Sequence, residues 1–69
     1  MKKNIKVKVK VNDVLIDKEN GKKFMIDKVY RNNELMVGIE LETPNPTTRC
    51  ISKDELLMGY YEINNHYSL

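Results

Sequence analysis

Near its start the chain alternates without a break between apolar residues and lysine: Ile5, Lys6, Val7, Lys8, Val9, Lys10, Val11. A period of two belongs to a strand with one buried and one wet face. Ile5, Val7, Val9 and Val11 are therefore expected to face a core. Lys6, Lys8 and Lys10 would form a basic stripe, with like charges roughly 6 to 7 Å apart. Asn12-Asp13 breaks the parity and moves the apolar pattern to Val14 and Ile16, which predicts a bulge or Asx turn at Asp13. Asn20-Gly21 predicts a type I′ hairpin turn, because both residues accept positive φ. A second strand follows from about Lys22 to Arg31. After Asn32-Asn33, a third keeps Leu35, Val37, Ile39 and Leu41 on one apolar face.

Thr43-Pro44-Asn45-Pro46 reads as loop, since two prolines remove ladder donors and restrict the residues before them. A short fourth strand covers Thr47 to Ile51. Ser52-Lys53-Asp54-Glu55 then matches a capping box, with Ile51 and Leu56 at the positions of a hydrophobic staple. Gly59 should end the helix after about one turn. Tyr60 to Ile63 forms a closing strand whose two tyrosines point to opposite faces, one packed and one exposed. Residues 1–63 thus make one domain, and residues 64–69 a polar tail. The expected core is Val7, Val9, Phe24, Ile26, Val37, Ile39, Leu41, Ile51, Leu56 and Ile63.

Register sharpens the picture of the second hairpin. A two-residue loop at Asn32-Asn33 sets Tyr30 opposite Leu35, Ile26 opposite Ile39 and Phe24 opposite Leu41 on the buried face. The other face then holds Met25 beside Glu40 and Val29 beside Met36. The same scheme puts Lys28 opposite Val37 on the apolar side, where an unpaired charge is costly. A bulge near Asp27-Lys28 would turn Lys28 outward and Val29 inward, leaving Met25 and Met36 outward in either case. Methionine suits adaptable contacts. Met25, Val29, Met36 and Glu40 are accordingly the candidate protein-binding residues.

With 69 residues, the chain has room for one domain that buries about 60% of its unfolded surface. The net charge is only +2, but five lysines and no acid fall within residues 1–12, leaving the remainder mildly acidic. Abundant Lys, Asn, Ile and Tyr, with no Ala, Gln or Trp, suggests an A/T-rich genome such as that of a low-GC bacterium, its phage or a mobile element. Cys50 is the only cysteine and His66 the only histidine, so neither an internal disulfide nor a zinc-ligand spacing is available. Cys50 is expected to be a small core residue, and a reducing, cytoplasmic setting is expected. The lysines interrupt any signal-peptide or membrane-spanning apolar run. A nucleophile with an adjacent base and an orienting group is missing as well, and so is a Gly-rich phosphate loop. No enzyme activity, cofactor or metal is expected.

Five short strands with one helical turn before the last is the layout of a small all-β barrel. Asp13-Val14-Leu15-Ile16-Asp17, Gly21-Lys22-Lys23-Phe24, Val37-Gly38-Ile39-Glu40-Leu41 and the Ser52-to-Leu56 turn resemble, in layout, the Src-homology-3-like barrels of small bacterial and phage accessory proteins. The likeness covers about residues 7–63. The acidic loop and proline-binding aromatics of the eukaryotic signalling domains are absent. A shorter stretch, with Gly38-Ile39, Pro44, Arg49 and Glu55, is similar to carbon storage regulators, which bind RNA as dimers; their N-terminal arginine-bearing strand is missing here.

The resemblance and the surface residues together imply a non-enzymatic binding module. The first reading is an accessory protein of phage or mobile-element type that covers or inhibits a host protein through the outer face of its sheet. The alternative is a nucleic-acid-binding barrel using Lys6, Lys8 and Lys10 with Arg49 and Lys53. The absence of aromatics between the lysines favours the first, as does edge protection as an ordinary use of strand lysines. The pattern is compatible with a monomer and with a homo-oligomer in which the first strand pairs with another copy. Membrane is not an expected partner.

Overall fold

The computed structural model describes residues 8–64. Five strands, β1 (Val14–Asp17), β2 (Lys23–Tyr30), β3 (Leu35–Glu40), β4 (Thr48–Ser52) and β5 (Tyr61–Asn64), are joined by turns and by one short helix, α1 (Lys53–Leu57). They form a single antiparallel sheet in the order β4-β3-β2-β1-β5. The expected all-β chain with a helical turn before its last strand is present. No helix among the described residues is long and apolar enough to cross a membrane.

The alternating run behaves differently from its pattern. Ile5, Lys6 and Val7 lie outside the described residues, and Lys8 to Lys10 are not in a strand. Val9 is buried in the core, whereas Val11 is 50% exposed. The cause is the turn that follows. Asn12 adopts φ 81°, the Lys10 N–H donates to Asp13 Oδ2 at 2.9 Å, and the Asp13 N–H donates back to the Lys10 carbonyl at 3.0 Å. This local loop competes with a ladder and wins. Pairing with β2 begins only beyond it, through Asn12 N–H to the Ile26 carbonyl and Ile26 N–H to the Asp13 carbonyl, both 2.8 Å. In β1 itself Val14 and Leu15 are both buried while Ile16 is half-buried, so the even-numbered alternation is not kept.

The hairpin chemistry is shared out differently from the expectation. At Asn20-Gly21 only Gly21 has positive φ, and its N–H closes onto the Asp17 carbonyl at 2.7 Å. Asp17 Oδ1 accepts from Glu19 N–H and Asn20 Oδ1 from Lys22 N–H, giving two Asx-type turns instead of a type I′ pair. The left-handed run is instead at Arg31, Asn32 and Asn33, with φ 50°, 54° and 75°, one residue more than a type I′ pair, and Glu34 N–H bonds the Arg31 carbonyl at 3.1 Å.

Tyr30 faces Leu35, as the loop length predicts, but a bulge at Asp27 shifts the register beyond it. Lys28 faces Val37 and Val29 faces Met36; after the bulge Ile26 faces Gly38, Met25 faces Ile39 and Phe24 faces Glu40. A bulge on one strand changes which of its residues point inward, while unbulged β3 keeps strict alternation. The one β3 set that matches Val29, Ile26 and Phe24 together is Met36, Gly38 and Glu40. Leu35, Val37 and Ile39 are therefore on the outer face, the reverse of the apolarity-based assignment. Gly38 permits this packing: a Cβ there would come within 2.9 Å of Phe24 Cβ.

The core consists of Val9, Leu15, Phe24, Ile26, Met36, Ile51, Leu56 and Tyr61, with Val29 and Ile63 packed against it. Each large apolar side chain fully buried contributes about 1.5 to 3 kcal/mol relative to exposure. Val37, Ile39 and Leu41, expected in the core, are half-buried and outside that cluster. The helix is built as its sequence specifies. Ser52 caps it, with Glu55 N–H donating to Ser52 Oγ at 3.2 Å and Ser52 N–H to Glu55 Oε1 at 2.9 Å. Ile51 and Leu56 bury together as the staple. Gly59, at φ 83°, ends the helix, with Tyr60 N–H bonded to the Glu55 carbonyl and Gly59 N–H to the Leu56 carbonyl. That is the bond pair of a Schellman motif.

Candidate functional site

Two surfaces stand out as candidate sites. The first is the outer face of β2, β3 and β4. Register aligns Tyr30, Leu35 and Ser52 in one row, Lys28, Val37 and Cys50 in the next, and Met25, Ile39 and Thr48 in the third. The face is apolar along its middle strand and unevenly covered. Tyr30 is 43% and Leu35 38% exposed, whereas Val14, aligned with Met25 on β1, is fully buried. Cys50 is exposed here and is not the core residue its size suggests.

The sequence-derived protein-binding residues divide on this geometry. Met25 lies on the outer face and is half-buried, as expected of its direction. Met36 does not: it is 0% exposed and belongs to the core, because β3 alternates opposite to the expected sense. Val29 also turns inward and packs against the core. Glu40 sits on the inner side at the end of β3, where Thr47 Oγ1 donates to its Oε1 at 3.0 Å and Lys22 Nζ lies 3.9 Å from its Oε2. The outer-face residues that pattern reasoning missed are Tyr30, Leu35, Val37 and Ile39; the Lys28 conflict was the signal that pointed to the bulge.

The second surface is organised by Arg49. Its position opposite Gly38 on β4 carries the side chain across the inner face, with the guanidinium carbon 4.4 Å from the centre of the Phe24 ring. Arg49 Nη1 donates to Asp17 Oδ2 at 2.9 Å and to the Tyr61 hydroxyl at 3.0 Å. One guanidinium thus ties β4 to β1 and β5, at the far side of the sheet. The Glu19 N–H, foremost, and Arg49 hold the Asp17 carboxyl below its usual range against the opposing effect of burial. Arg49 is held further into its charged form by the Tyr61 hydroxyl and then by Asp17. A cleft of about 680 Å³ opens beside this clasp, lined by Lys18, Glu19, Tyr60 and Tyr61 among others. Of the two tyrosines, Tyr61 packs and Tyr60 is exposed, the division expected, although β5 begins only at Tyr61 and Tyr60 lies before it.

The lysine that lines the Arg49 cleft is Lys18, not Lys8, Lys10 or Lys53. Lys8 and Lys10 are exposed, Lys6 lies outside the described residues, and Lys53 begins α1 with its N–H bonded to the Glu34 carbonyl. Arg49 is engaged inward in an ion pair instead of joining a lysine stripe. Among the described residues no group of three or more His, Cys, Asp or Glu is placed to hold a metal ion. The chain matches no protein-family model, no curated protein and no solved structure.

Proposed function

We propose that the chain is a non-enzymatic binding module that docks onto a partner protein through the outer face of β2, β3 and β4. The observation that carries this reading is the row Leu35, Val37 and Ile39, flanked by Met25 and Tyr30, on the face opposite the core cluster. Ordinary outer faces alternate to polar residues; this one places aliphatic and aromatic side chains next to one another, as protein-binding surfaces do. The clasp of Arg49 on Asp17 and Tyr61 draws the β4 side of the sheet toward β1 and β5. That curvature, with a helical turn before the last strand, supports a small barrel of Src-homology-3-like layout. The A/T-favoured composition supports an accessory protein of phage or mobile-element origin whose partner is a host protein. In the nucleic-acid alternative Arg49 has one nitrogen committed to Asp17 and Tyr61, so it does not extend the lysine stripe as an unpaired cation.

The test is capture from a lysate of the native source, with and without nuclease, on three immobilised chains: wild type, a Leu35→Thr/Ile39→Thr variant and a Lys8→Gln/Lys10→Gln variant. A nuclease-resistant protein retained by the wild type and the lysine variant, and lost by the outer-face variant, is expected. Recovery that needs nucleic acid, or that fails only in the lysine variant, would reverse the proposal.

A further inference from the structure

The cleft beside the clasp contains an arginine whose hydrogen bonding is half complete. Nη1 donates to both Asp17 and Tyr61, and one face of the guanidinium rests on Phe24. Nε and Nη2 have no hydrogen-bond partner among the described residues, although the Arg49 side chain is 35% exposed and lines the cleft. Those two nitrogens form the side-on fork that matches the two oxygens of a carboxylate. The surrounding groups hold the fork in place before any ligand arrives, which lowers the entropy lost on binding.

Two of the three acids that line the cleft already have partners, Asp17 on the Nη1 side of Arg49 and Glu55 on Ser52. Asp17 accepts from Arg49 and from Glu19 N–H, and Glu55 accepts from the Ser52 N–H and hydroxyl. Lys18 adds a cation beside Glu19, exposed Tyr60 adds an aromatic side chain to the lining, and the space at Gly59 is open. We infer that this cleft binds a carboxylate-bearing peptide segment, with the carboxylate on the Nε/Nη2 fork of Arg49 and a neighbouring apolar side chain against Tyr60. This site is separate from the outer face, so it does not depend on docking there.

The full chain is titrated with acetyl-Gly-Phe-Glu-Phe-Gly-amide, its Glu→Gln counterpart and sodium acetate, following backbone amide shifts. The acidic peptide should shift Lys18, Arg49 and Tyr60 in a saturable way. It should bind about tenfold more tightly than the amide peptide, the factor expected for one charge-assisted pair. An Arg49→Lys variant that melts cooperatively should lose this preference. Equal binding of the Glu and Gln peptides by the wild type would overturn the assignment, whatever the variant does. So would equal shifts from acetate alone, which would mark a free-anion site in place of a peptide site.

Discussion

Asp17 shows how one side chain can serve a turn and a long-range contact together. Its Oδ1 closes the β1–β2 turn and its Oδ2 receives Arg49. Because its folded carboxyl titrates below the ordinary range, its ionised form stabilises the fold at pH above about 4, the value for an unfolded aspartate. That contribution disappears as pH falls through the lowered folded value. Asp17→Asn keeps an acceptor for Glu19 N–H but removes the charge. Thermal melts from pH 2 to 7 should show wild type above Asp17→Asn near neutrality and the gap closing in acid. A gap that widened in acid would mean that the carboxylate opposes folding.

At the level of elements, the bulge at Asp27 decides what faces what. Met36→Ala should destabilise by about 2 to 5 kcal/mol in denaturant unfolding, as truncation of a fully buried side chain does. Ile39→Ala, on the half-covered outer face, should cost about 1 kcal/mol. Equal losses would place both residues in one core. In α1, Ser52→Ala should cost about 1 kcal/mol by leaving Glu55 N–H without its cap. A silent Ser52→Ala would remove the capping box as the origin of the helix.

The helix was fully legible because its signals are local: cap, box, staple and terminal glycine lie within a few residues of one another. The positions of β2 to β5 and of the loops between them were legible for the same reason, whereas the alternating run was not, since Lys8 to Lys10 lie outside any strand. The faces of β3 were not, since both Leu35-Val37-Ile39 and Met36 are apolar and only the inserted residue on β2 chooses between them. The Arg49 clasp was equally hidden, because Asp17 and Tyr61 meet Arg49 only through the tertiary fold. Cys50 looked like core for its size, yet it shares the outer face with Val37.

For the whole molecule, the core cluster lies on one side of the sheet and the row Leu35, Val37 and Ile39 on the other, so the proposed docking depends on the sheet's sidedness. In a Cys50→Ser background, Met36→Cys and Leu35→Cys each introduce a single thiol on the two opposite faces of β3. Native-state labelling with an aromatic disulfide reads its exposure directly. The thiol at position 35 should react close to the rate of an unfolded control, and the thiol at position 36 only as fast as the chain opens. Rapid labelling at 36 with protection at 35 would contradict this, putting Leu35, Val37 and Ile39 back in the core and removing the surface on which the proposed docking rests.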